Sequence, residues 1–143
     1  MTLVLLHTAA TLFMTGLIWF VQVVHYPLFA QVGQDGFTGY AEHHSRRTTW
    51  VVFPPMVIEL VTGVFLLFDR PPEVSAALPW LGAGLIAIIW ASTALLQVPQ
   101  HRAFTGGFDR VAWQKLVLSN WVRTGAWSAR AVIVLVMSAR VMS

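Results

Sequence analysis

Residues 3–24 read LVLLHTAATLFMTGLIWFVQVV, a run without a single Asp, Glu, Lys or Arg, and the segment that follows, HYPLF (25–29), brings the first proline. Helix rises 1.5 Å per residue, so about 20 apolar residues cross a hydrocarbon core about 30 Å thick. This run is long enough to do so. It is continuous rather than alternating, which favours helix over a barrel strand of about 10 residues. It also lacks the basic n-region and small-residue cleavage site of a signal peptide, so it is expected to remain as the first span.

Three further stretches have the same character, giving expected spans at about 3–24, 50–68, 79–98 and 122–141. The whole chain agrees: of 143 residues, 57% are hydrophobic and only 10% charged, with mean hydropathy +0.67, whereas roughly a quarter of a soluble domain is charged. The expected fold is therefore all-α: a transmembrane four-helix bundle forming one integral membrane domain over 1–143, with the lipid bilayer as its first partner. The absence of cysteine excludes disulfides and thiolate metal sites.

Four crossings put both termini and the connection FDRPPEVSAALP (68–79) on one side, and residues 27–49 and 99–121 on the other. Arg46, Arg47, Arg102, Arg110, Lys115 and Arg123 fall on the second side, against Arg70 and Arg140 on the first. By the positive-inside rule the second side is cytoplasmic, and both termini are non-cytoplasmic in a multi-pass protein of the bacterial inner (cell) membrane. A pI near 10.2 then reflects orientation and contact with anionic headgroups, not nucleic acid. In FDRVAWQKLVLSNWVRT (108–124) apolar residues mix with Trp113 and Trp121, and Asp109 stands in the expected first turn. This reads as an interfacial amphipathic helix before the fourth span. GFTGYAEHHSRRTTW (36–50) is a second helix candidate, capped near Asp35 and leading into span two.

Polar residues inside spans are costly and mark function by default. His7, Thr11, Thr15, Ile18, Gln22 and His25 step by three or four along one face of span one, and His44, Thr48, Val52, Pro55, Glu59 and Thr62 do so in span two. Glu59 and Arg130 lie at matching depths, roughly 13–17 Å below the cytoplasmic side, so they are expected to pair. An isolated charge there costs about 2.5–3.5 kcal/mol even on the insertion scale.

Four of the five histidines (His25, His43, His44, His101) fall at one membrane level, the cytoplasmic ends of three spans. Imidazole ligates metals and haem. His25, His44, His101 and Glu59 form a nitrogen-and-oxygen set suited to iron, zinc or copper. Alternatively, His25 and His101 close their spans from the same side and form the best pair for gripping a haem b. Tyr26, Tyr40, Trp121 and Arg123 are placed to line the mouth, Arg123 and Asn120 to meet a polar substrate head, and Glu59 with Arg130 to act in catalysis. Gly82, Ala83 and Gly84 allow close helix approach and suit a homo-oligomer.

LHTAATLFMTGLIWFVQVVHYPLF (6–29) resembles the opening span of several small bacterial four-helix membrane families. These are the copper-resistance-D-like proteins, the anthrone-oxygenase-like proteins and the small membrane type of protoporphyrinogen oxidase. VPQHRAFTGGFD (98–109) and SNWVRTGAWSAR (119–130) resemble other bacterial proteins of that neighbourhood. The resemblance implies a four-helix bundle with haem- or metal-linked redox chemistry, and His7 matches the early histidine of the haem-associated relatives. The leading expectation is a metal- or haem-dependent membrane oxidoreductase acting on a hydrophobic small molecule such as a quinone, polyketide or porphyrin. Transport along a Glu59/Arg130 polar path, and an accessory subunit without chemistry, are the alternatives.

Overall fold

A computed structural model describes residues 1–143. It is all-helical, with four helices long and apolar enough to cross a membrane: α1 (Thr2–Gln31), α2 (Gln34–Phe68), α3 (Ala77–Gly106) and α4 (Arg110–Met142). Each outlasts the apolar run that announces it. The excess lies at one end of the bundle, where the segments expected to be connections, 27–49 and 99–121, are mostly helix.

Two wide turns explain why α1 and α3 continue past their prolines. Val21–His25 and Thr93–Gln97 are π-helical, with Tyr26 N donating to Val21 O and Val98 N to Thr93 O. Pro27 and Pro99 follow each turn two residues on. A helical proline lacks its N–H and collides with the carbonyl four residues back, here that of Val23 or Leu95, and a π turn opens the coil at that point. The chain then tightens into 3₁₀ turns, Phe29–Gln31 and Phe104–Gly106, before reversing into the next long helix. The two halves of the bundle thus repeat one device: span, π turn, proline, 3₁₀ turn, long returning helix.

Two sequence expectations change. The amphipathic stretch before the fourth span is not a separate interfacial helix, because α4 runs unbroken from Arg110 to Met142 with no proline or glycine pair to stop it. Asp109 is its N-cap rather than a first-turn residue, accepting from Val111 N at 2.8 Å and Ala112 N at 3.0 Å. The helix expected to lead into span two is present as the start of α2, and only its cap changes, from Asp35 to Gly33, with Asp35 inside the first turn.

The main core lies toward the π-turn end, where Phe29, Phe37, Phe104, Leu116 and Trp127 are fully buried. Phe29 is its hub, meeting Phe37, Tyr40, Phe104 and His44 edge to face at 5.0–6.2 Å. Val4, Leu66, Val74 and Met137 form a smaller cluster at the other end. The outer surface is apolar along the spans, with Phe13, Phe20, Phe53, Phe65 and Leu135 each more than half exposed. Such a coat suits lipid contact.

Candidate functional site

The buried polar residues separate into two sites. The deeper one centres on Arg130, which is 1% exposed. Its Nε and Nη2 donate to Glu59 Oε1 at 3.3 and 3.2 Å, Nη1 donates to Gly82 O at 2.6 Å, and Nη2 also meets Thr11 Oγ1 and His7 Nε2 at 3.2 Å. Glu59 Oε2 accepts from Trp127 Nε1 at 2.9 Å. Guanidinium only donates, so His7 Nε2 accepts and its Nδ1 carries the proton toward Thr62 Oγ1, 2.7 Å away. Thr62 in turn donates to Ile58 O. All four helices are tied together here, and every charge has its partner. The space beside His7 and Arg130 is only about 10 Å³, at most a single water.

His7, Thr11, Thr62 and Trp127 complete this network. The polar stripes mark His7, Thr11 and Thr62 in the sequence without giving them a place beside Arg130. Trp127 carried no such signal, because an indole in a span reads as apolar.

The second site lies at the π-turn end. His25 Nε2 and His44 Nδ1 are 2.8 Å apart, and Thr48 Oγ1 lies 3.1 Å from His44 Nδ1. Tyr26 Oη is 3.2 Å from His101 Nε2. The His44 and His101 rings stack with centroids 5.3 Å apart. Gln22 and Gln97, one in each π turn, fix these segments to α4. Gln22 Nε2 donates to Val117 O, its Oε1 accepts from Asn120 Nδ2, and Gln97 Nε2 donates to Ser119 Oγ. Trp113 Nε1 donates to Tyr26 O at 2.9 Å.

His44, His101, Tyr26 and Arg123 form one end of a cavity of about 860 Å³. Its walls are apolar: Met14, Leu17 and Ile18 from α1, Val52, Phe53 and Met56 from α2, Trp90 and Val98 from α3. Thr38, Ser45, Arg46, Arg102 and Thr105 rim the mouth. Two buried polar atoms here, His101 Nδ1 and Arg123 Nε, have no hydrogen-bond partner. Arg123 lies over the Trp127 ring at 5.3 Å.

Of the residues expected to act together, His25, His44, His101, Tyr26 and Arg123 come together. Glu59 and Arg130 belong to the other site. Asn120 is fully buried and bonded to Gln22, away from the cavity wall. Tyr40 stacks on His44 from outside the cavity, centroids 6.3 Å apart. Trp121 is half exposed and packs edge to face on Trp19.

No three His, Asp or Glu side chains converge as a set of metal ligands. Glu59 is engaged with Arg130 and Trp127, and the His44 ring is close to both His25, at 4.7 Å, and His101, at 5.3 Å. The four-ligand set and the His25–His101 haem pair therefore do not fit as they stand. His25 Nε2 and His44 Nδ1 share a hydrogen bond at 2.8 Å, closer than the about 3.3 Å that tetrahedral bonds of about 2.0–2.1 Å set between two nitrogens, so a metal on this edge would have to replace that bond. No family model matches the chain, and no curated protein or solved structure is significantly similar to it.

Proposed function

We propose that this chain is a multi-pass membrane oxidoreductase that holds a hydrophobic small molecule in the large cavity and works on its oxygen-bearing end. The observation that carries the reading is the cavity itself: an apolar chamber ending in two histidines, a tyrosine and an arginine, two of whose buried polar atoms lack partners. Ligand sites have this composition, mostly apolar with a few convergent polar groups. In a protein facing lipid, the apolar wall suits a molecule that partitions from the bilayer.

The side chains have distinct tasks. Tyr26 and His101 form a donor–acceptor pair that passes a proton to or from a bound oxygen. His44, within reach of Thr48 Oγ1, faces the same space. Arg123 steadies charge on the oxygen. A transition metal (iron, copper or zinc) carried on the His25–His44 edge would supply the electrophilic or electron-transfer chemistry. By the positive-inside distribution, the cavity opens on the cytoplasmic half of a bacterial inner membrane, with both termini outside. The Arg130 cluster does not favour transport, since its charges are mutually satisfied and the space beside them is about 10 Å³.

An absorption spectrum, elemental analysis and mass spectrometry of an organic extract, all from one gently purified preparation, test this. The expected result is a co-purifying hydrophobic compound together with a stoichiometric transition metal that His44→Ala loses. A preparation with neither metal nor Soret band would overturn the redox reading. One that also carries no hydrophobic compound would overturn the cavity as a substrate site.

A further inference from the structure

The cavity contains an imbalance of charge that narrows its ligand. The chain has six acidic residues. Only Glu59 among them is buried, and its partner is Arg130 in the single ion pair of the structure. Glu42 touches the cavity only from its exposed rim. Arg123, 6% exposed, has no acidic partner. Its Nε is buried without a hydrogen bond, and the rest of the guanidinium lines the chamber within hydrogen-bond reach of the Tyr26 hydroxyl. An uncompensated buried cation is strongly unfavourable, and a guanidinium is the group best shaped to hold an oxyanion.

We propose that the cavity takes a hydrophobic molecule ending in one oxyanion, a carboxylate or an ionised phenol, with that oxygen on Arg123 and Tyr26 and the apolar body along Met14, Ile18, Val52 and Met56. The inference rests on the reading of this cavity as the substrate site. A single charge is specified because Arg123 is the one buried cation there. A dianionic phosphate head would leave a net negative charge in the chamber. Arg46 and Arg102, exposed at the rim, raise the local concentration of anions at the mouth.

Tryptophan quenching on the full chain in neutral detergent tests this, since Trp90 and Trp127 border the site. The probes are dibromostearate and its methyl ester, then a dibrominated alkylphenol, ionised at the working pH, and its methyl ether. The expected result is that at least one anion binds about tenfold tighter than its neutral partner, or more, the factor a charge-assisted hydrogen bond gives. Which anion shows the preference tells carboxylate from phenolate. Arg123→Gln should bring the anion down to the affinity of the neutral form without changing the latter, and Arg123→Lys should keep part of the preference. Equal binding of both members of both pairs overturns the oxyanion head and leaves the hydrophobic site standing. No quenching by any probe overturns both. The wild-type ratios decide even where the glutamine variant fails to fold.

Discussion

Arg130 and Glu59 meet at 3.2 Å with 1% and 4% of their side chains exposed, and four further groups hold the guanidinium and the carboxylate in register. Removing one member leaves a buried charge alone, which costs about 3–5 kcal/mol, whereas replacing both by apolar residues of similar volume is often close to neutral. Glu59→Leu and Arg130→Met should each lower stability by that amount, and the double variant should recover most of it. Denaturant or thermal unfolding in detergent measures the cycle. Trp127, bonded to Glu59 and lying under Arg123, joins the pair to the cavity, so if the pair serves packing alone the double variant keeps ligand binding there. Loss of binding in a folded double variant would join the two sites functionally.

Gly63 on α2 faces His7 of α1 and Ile86 of α3. A Cβ there would stand 2.8 Å from Ile86 Cδ1 and 3.3 Å from His7 Cε1. Overpacking of this kind costs about 1–3 kcal/mol. Gly63→Ala should therefore destabilise by that much, and Ile86→Val should restore part of it. At Gly84 a Cβ meets nothing within 4 Å, so Gly84→Ala should leave the isolated chain unharmed. A shift in oligomeric state for Gly84→Ala, read by light scattering, would mark α3 as a contact between copies.

The helices were legible because continuous apolar runs of span length admit few other readings, and the Glu59–Arg130 pair followed from depth along two such runs. What hid the rest was the proline punctuation. Pro27 and Pro99 read as helix ends, yet each falls just after a π turn that absorbs it, so the last turns of α1 and α3 read as loop, whereas the helical stretches at 36–50 and 108–124 were legible and only the unbroken join of the latter to span four was not. Periodicity gathered the histidines at one level but could not say which face the cavity. His25 reaches the cavity only through His44, and Tyr40 and Asn120 lie behind the wall. Those placements depend on packing around Phe29 and on the Gln22–Asn120 bond, contacts between residues far apart in the chain.

Val52 is half-buried on the cavity wall, so a larger side chain there has space to grow into the chamber. Val52→Trp should lower affinity for the brominated probes at least tenfold while lowering stability by no more than the about 1–3 kcal/mol of an overpacked site, since Val52 also packs against the main core. Probe titration and a melting curve on the same sample check it. Undiminished binding would move the ligand to another surface.

The last prediction concerns the π turn itself. Pro27→Ala returns an N–H to the helix and removes the collision with Val23 O, so nothing local then requires the extra residue in Val21–His25. An α-helical register through this segment turns His25 and Tyr26 by about 100°, which breaks the 2.8 Å contact to His44 and the 3.2 Å contact to His101. Gln22, bonded to Val117 O and Asn120, lies at the turn's start and should stay in place, so the spans remain docked, although the shift of the buried Phe29 should lower stability. Histidine-selective ¹⁵N NMR on folded Pro27→Ala should then show changed signals for His25, His44 and His101 and an unchanged one for His7, with loss of probe binding. Leu28→Ala, beside Pro27 on the exposed surface just after the turn, should alter none of them. Unchanged spectra in Pro27→Ala would mean that the glutamine anchor and the aromatic packing, not the proline, hold the histidines at the cavity.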